Sequence, residues 1–180
     1  MRDRNWTVRS STYAVRDRWI RVRADDCTTA SGAVVAPYYV LEFPDFVHVL
    51  AIDRSDRVVL VRQYRHGLRG MSLELPGGMM DQAETDILGA AARELREETG
   101  FVGGALSYVI TLSPEPARYE NRLHLVRATD LSVGATSPEA TEDIEVLLVP
   151  RQEAMRLALS GAIAHAAHVG LLLIGLNAPA

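Results

Sequence analysis

Apolar and polar positions along this chain fall into short blocks separated by turn-forming residues, and the blocks are of two kinds. Segments 13 to 23 (YAVRDRWIRVR), 37 to 42, 46 to 53 (FVHVLAID) and 57 to 64 (RVVLVRQY) are rich in β-branched and aromatic residues and bounded by turn signals such as Asp53 to Asp56. They predict strands, as do 105 to 112 (ALSYVITL), 122 to 129 (RLHLVRAT) and 144 to 149 (IEVLLV). Leu88, Ala91, Ala92 and Leu95 instead recur at helical spacing, which predicts a helix that turns those side chains to the core. Segments 151 to 160 and 163 to 176 predict two more helices, divided at Gly161. This order lacks a regular β-α repeat, so the expectation is an α/β fold with a mixed sheet and helices on its faces rather than a doubly wound one.

The first of these helices carries the string RELREETG, which sets Glu94, Glu97 and Glu98 at i, i+3 and i+4 on one face. Like charges that close repel, so the side chains are either fully solvated or gathered around something cationic. One reading is a surface helix laced by Arg93 and Arg96; the other is a divalent metal. Oxygen-only ligands favour a hard ion, and magnesium bridges carboxylates to substrate phosphates while keeping several waters. The flanks favour the metal. Pro76-Gly77-Gly78 ahead of the helix suits tight backbone geometry, Thr85 or Asp86 can cap its start, Glu84 can pair with Arg93, and Gly100 suits its end.

Residues 77 to 101, GGMMDQAETDILGAAARELREETGF, resemble the Nudix box, matched at Gly78, Glu84, Arg93, Glu94, Leu95, Glu97, Glu98, Gly100 and Phe101. One departure stands out: eight residues, TDILGAAA, separate Glu84 from Arg93 where the family pattern has seven. An extra residue inside the helix would rotate the acidic face by about 100°. The surplus is therefore expected at Thr85-Asp86, before the helix begins. The segment from Val58 to Gly78 and the stretches SPEPARYENRLHLV and EDIEVLLVPRQEAM are similar to ADP-ribose pyrophosphatases and related nucleotide-sugar hydrolases, so the resemblance spans nearly the whole chain.

That resemblance implies a Nudix-type α/β/α sandwich with an N-terminal antiparallel strand region over residues 1 to 45, packed across a homodimer interface. It also implies Mg²⁺, with Mn²⁺ as a substitute, held by Glu94, Glu98, Glu97 and a backbone carbonyl near Gly77. Catalytic roles fall to Glu97, Arg93 and Glu142. The last sits just before the strand 144 to 149, where the group tends to supply a base or further ligand; Glu139 is the reserve and Glu145 is read as structural. Arg65, at a strand end, suits a bidentate contact to diphosphate, against an ordinary surface ion pair. Glu74 would orient the loop or contact substrate, and Arg118 or Arg122 would contact phosphate or ribose. The implied reaction is hydrolysis of ADP-ribose or a related ADP-sugar to AMP and a sugar phosphate. Alternatives are another nucleoside diphosphate sugar, such as GDP-mannose or ADP-glucose, and a non-catalytic sensor of ADP-ribose.

Composition narrows the classes. The 180 residues, 48% hydrophobic and 23% charged, suit one domain spanning the chain. The single cysteine, Cys27, excludes an intramolecular disulfide and reads as a small buried side chain. A net charge of −4 predicts no nucleic-acid partner. All 19 basic residues are arginine, so Schiff-base and Walker-lysine chemistry is impossible. The apolar stretch 161 to 176 is broken by two histidines, His165 and His168, and is too short for a membrane span, so a cytoplasmic location is expected. Those histidines lie three apart among alanines, which suggests packing rather than a metal pair. Tyr64, Phe46 and Trp19 are read as core aromatics rather than base-stacking platforms.

Overall fold

The computed structural model describes residues 3–81, 84–102, 104–134 and 143–179, in two compact units. The first comprises residues up to Pro44 together with Ser113–Arg122. Its strands β1 (Thr7–Arg16), β2 (Arg21–Thr28) and β3 (Val34–Glu42) form an antiparallel meander. Segment 13 to 23, expected as one strand, is instead the end of β1, a turn and the start of β2. Asp17 makes the turn: its Oδ1 accepts the N–H groups of Trp19 and Ile20 at 2.7 and 2.8 Å. The β-forming residues on either side hide that turn from a propensity reading. Trp19, placed on the turn, is 73% exposed instead of core.

Unit 1 is tied by charge. Arg23 donates to Asp25 at 3.0 Å, to Glu42 at 2.5 Å and to Glu120 at 2.7 Å. Segment Ser113–Arg122 joins the meander through Leu41, whose N–H meets the Arg118 carbonyl at 2.7 Å.

Unit 2 holds strands β4 (Phe46–Ala51), β5 (Arg57–Arg65), β6 (Gly70–Glu74), β7 (Gly77–Met79), β8 (Phe101–Val102), β9 (Ala105–Leu112), β10 (Leu123–Thr129), β11 (Ser132–Val133) and β12 (Glu145–Pro150). Its helices are α1 (Ile87–Thr99), α2 (Arg151–Leu159) and α3 (Ala166–Asn177). The sheet β7-β4-β10-β9 is mixed, with β10 parallel to β4 and the other pairs antiparallel; β12-β5-β6 is antiparallel. Successive residues of β4 and β5 feed opposite cores. Val47, Val49 and Val59 pack with Ala90, Ala91 and Leu95 of α1, whereas Leu50, Val58 and Leu60 pack with Leu171 and Leu172 of α3. Apolar cover on both faces explains why FVHVLA and RVVLV read as near-continuous hydrophobic runs. The result is the expected helix-sheet-helix sandwich. Tyr64, at the end of β5, is 56% exposed and not part of that core.

The core stripe of α1 differs from the expected one. Ala90, Ala91 and Leu95 are buried, while Leu88 and Ala92 are exposed. The cap decides the phase: Asp86 accepts from the N–H groups of Leu88 and Gly89 at 3.1 and 3.0 Å, and half-buried Ile87 opens an inward row that runs through buried Ala90, Ala91, Leu95 and Glu98 with Glu94 half-buried among them. An alanine-rich segment carries too little contrast to reveal that phase by sequence.

Candidate functional site

The helix α1 is regular from Ile87 onward, so the surplus residue between Glu84 and Arg93 lies ahead of it and the acidic pattern keeps its register. Gly100 closes the helix in the left-handed conformation at φ 73°, its N–H bonded to the Arg96 carbonyl. The same row that buries Ala90, Ala91 and Leu95 carries Glu94 and Glu98 toward the Gly77-Gly78 turn of β7.

Glycine is required at position 77, and at 78 it leaves room for a neighbouring side chain. Gly77 has φ 149°, and a Cβ on it would lie 2.1 Å from the Val47 carbonyl oxygen. A Cβ on Gly78 would lie 2.7 to 2.9 Å from the Glu94 carboxylate. The absent side chain thus leaves the space that the carboxylate uses. Glu98 is buried and its Oε2 accepts the Gly77 N–H at 2.9 Å.

Arg93 is the cation among the carboxylates. It donates to Glu94 at 2.8 Å, to Glu97 at 3.2 Å and to Glu84 at 3.4 Å. Burial opposes its charge, but Glu94, Glu97 and Glu84 outweigh burial and raise its pKa above the ordinary guanidinium value. Glu97 also pairs with Arg96 at 3.7 Å, so it lies between two guanidinium groups. Among the described residues, no three or more His, Cys, Asp or Glu side chains converge on a metal-sized position.

The donor set still fits a hard ion. Magnesium is commonly held by one or two carboxylates, with water and substrate phosphate completing the shell, rather than by an all-protein cage. Glu94 and Glu98, two carboxylates at a glycine turn, supply that number.

Arg65 and Glu74 form a bidentate pair across β5 and β6, at 3.0 and 2.6 Å. Burial alone would raise the Glu74 pKa, yet Arg65 more than compensates and holds it below the usual carboxylate range. Glu74 therefore orients Arg65, whose side chain is nearly half exposed. Arg118 and Arg122 belong to unit 1, where Arg118 pairs with Glu115 at 3.7 Å. Glu142 and Glu139 lie outside the described residues. Glu145 pairs with Arg62 on the neighbouring strand. Cys27 is buried. Sequence reasoning left His168 as packing and did not single out His48; both are buried in unit 2, with rings 4.5 Å apart. Nothing local marks His48, since its importance comes from what α3 lays against it.

Comparison with known proteins adds to this geometry. The NUDIX domain family matches residues 43–169, and the nucleoside diphosphate sugar hydrolase N-terminal domain matches residues 6–41. An ADP-ribose pyrophosphatase of Bacillus subtilis is 30% identical over 120 residues, covering 66% of this chain and 64% of that protein. A CMP-5'-(N-acetyl-N-hydroxy-3-aminopropyl)phosphonate hydrolase of Streptomyces rubellomurinus is 26% identical over 170 residues, 94% of this chain and 82% of the other. The crystal structure of an ADP compounds hydrolase superposes with a TM-score of 0.84 at 25% identity, covering 94% of this chain and 91% of that one.

Proposed function

The chain belongs to the Nudix hydrolase family, and from that premise we propose that it hydrolyses the diphosphate linkage of ADP-ribose or a related ADP-sugar, with Mg²⁺, to AMP and a sugar phosphate. The observation that carries the reading is the pair Glu94 and Glu98, brought by α1 to the Gly77-Gly78 turn. The similarity to proteins named for ADP-ribose and ADP compounds supports the substrate class. The N-terminal match to nucleoside diphosphate sugar hydrolases supports a sugar on the far phosphate.

Glu94 and Glu98 would hold the ion, with Glu97 and the Gly77 backbone as further oxygen donors, and Mn²⁺ can take its place. When bound, the ion neutralises diphosphate charge and lowers the pKa of a coordinated water. Arg93 neutralises the surrounding carboxylates and fixes their rotamers. Arg65, steadied by Glu74, offers its fork to a substrate phosphate, and Arg118 is assigned a second phosphate or ribose contact. Water adds at phosphorus, the bridging P–O bond breaks toward the departing phosphate, and the water proton passes to Glu142, with Glu139 in reserve. The location proposed is cytoplasmic; no described helix is long and apolar enough to cross a membrane. A homodimer is proposed through the N-terminal sheet, whose β1 exposes Val8, Tyr13 and Val15.

A second reading, hydrolysis of a different nucleotide-linked substrate, rests on the similarity to the phosphonate hydrolase over 94% of this chain. Incubation of the full chain with Mg²⁺ and a panel of ADP-ribose, ADP-glucose, GDP-mannose and CMP-linked substrates, with products separated by chromatography, decides between them. AMP and ribose 5-phosphate from ADP-ribose as the fastest reaction is the expected result. Turnover confined to a non-adenine nucleotide would select the second reading, and binding without cleavage would select the sensor. Glu98→Gln should remove most turnover, and Glu142→Gln should lower kcat by about 10²- to 10⁴-fold with little change in KM. Reaction in ¹⁸O-water should label a phosphate product.

A further inference from the structure

The turn ahead of α1 is held from three directions, and one of the holds comes from the far end of the chain. Leu75, 2% exposed, donates its N–H to Nδ1 of His168 at 2.9 Å. Pro76 has no N–H, and its carbonyl accepts from Val49 of β4 at 2.8 Å. Gly77 donates to Glu98 of α1 at 2.9 Å. The turn therefore hangs between β4, α1 and α3, and His168 is the contact that α3 supplies.

We infer that His168 is a positioning residue for the acidic site: by accepting the Leu75 N–H it holds the Leu75–Gly77 turn where the Gly77 N–H meets Glu98. The ring suits this task. It is 3% exposed and lies edge-on between His48, at 4.5 Å between centroids, and His165, at 4.4 Å. An Nδ1 that accepts places the single ring proton on Nε2, and a doubly protonated ring could not accept at all. Burial, followed by His48, His165 and Arg65, disfavours the charged ring and so keeps the acceptor available. Glu74, paired with Arg65, is the carboxylate next in sequence to Leu75. Outer contacts that orient metal-binding groups commonly change metal affinity or activity by about 10- to 100-fold when lost, which sets the size of effect expected for His168.

The consequence for metal binding rests on the proposed Mg²⁺ site, whereas the hold on the turn does not, and the test separates the two. Nitrogen NMR of the full chain should find Nδ1 of His168 unprotonated and Nε2 protonated; a proton on Nδ1 overturns the inference. His168→Leu keeps bulk and removes the acceptor, while His168→Asn sets an amide oxygen near the position of Nδ1. In the leucine variant, amide exchange at Leu75 and Gly77 should accelerate. Mn²⁺ affinity without substrate, read by electron paramagnetic resonance, should fall about 10- to 100-fold. The asparagine variant should recover most of both. Unchanged exchange at Gly77 in a folded leucine variant overturns the inference, as does an asparagine variant as damaged as leucine. Should the leucine variant not fold, the asparagine variant decides alone: slow exchange at Gly77 supports the hold and fast exchange overturns it. If exchange follows the expected pattern while the wild type takes up no Mn²⁺, the metal reading falls and the positioning of Glu98 stands.

Discussion

In unit 1, Cys27 is the one buried hydrophobic side chain among the described residues, and β1 is exposed along its whole length. In unit 2, Val47, Leu50, Leu60, Leu125 and Leu171 are fully sealed, in cores on both faces of the strands. Both regions are built of paired strands, yet different forces hold them. Unit 1 relies on ladder hydrogen bonds and on Arg23 with Asp25, Glu42 and Glu120, contacts that each contribute modestly because water competes for them. Unit 2 relies on apolar area removed from water, where side-chain volume is what counts. The proposed metal-binding carboxylates, Glu94 and Glu98, sit on the second kind of scaffold.

The largest effect that would test this contrast is a cavity in unit 2. Leu60→Ala should lower stability by about 2–5 kcal/mol in denaturant unfolding, and a loss below about 1 kcal/mol would show that the core of unit 2 is not its main support. Acid comes next. All five histidines lie in unit 2. Burial, with His165 adding, lowers the His48 pKa from 6.5 to about 4. The folded state therefore binds fewer protons than the unfolded one between those values. The stability His48 contributes is complete above about pH 6.5 and drains away as pH falls toward 4. The effect is roughly 3 kcal/mol at about 1.4 kcal/mol per unit. Segment-resolved hydrogen exchange should show unit 2 loosening over that window, and His48→Gln should reduce the response, leaving the part that buried His168 supplies with the same sign. A flat profile in the wild type would contradict the buried, neutral ring.

A smaller change sharpens the other side of the contrast. Arg23→Met removes charged hydrogen bonds to three carboxylates and should destabilise the meander by about 1.5–3 kcal/mol, with the wild-type advantage shrinking in high salt. Insensitivity to salt would mean that packing, not charge, ties unit 1. Smallest of all, Val8→Ala on exposed β1 should stay within about 0.5 kcal/mol in dilute protein, and a loss that appears only at high protein concentration would place β1 at the proposed dimer interface.

Much of unit 2 was legible because its signals are local. Segment 105 to 112 forms β9 with those bounds, and RELREE forms the body of α1. Where near neighbours gave little contrast, legibility failed. Ala90 and Ala92 look alike in sequence, and only the Asp86 cap and the packing of Val47 and Val49 select which one faces inward. Trp19 looked like a core aromatic until Asp17 turned the chain beneath it. Arg65 offers two readings by sequence; the structure shows the ion pair, with a buried Glu74 on the adjacent strand, and the contact to diphosphate is a proposed role for the part-exposed guanidinium.

By itself the sequence determined what short-range chemistry decides: the longer strands of unit 2, the acidic helix, the glycines ahead of it and the spacing that sets Glu94 and Glu98 on one row. It could not determine which cation joins those carboxylates or what steadies the turn. Gly77 meets Glu98 across 21 positions of chain, and Leu75 meets His168 across 93. Contacts at that separation depend on where β4, α1 and α3 come to rest after apolar burial on both faces of the sheet, and burial is a property of the whole packed unit rather than of any segment in it.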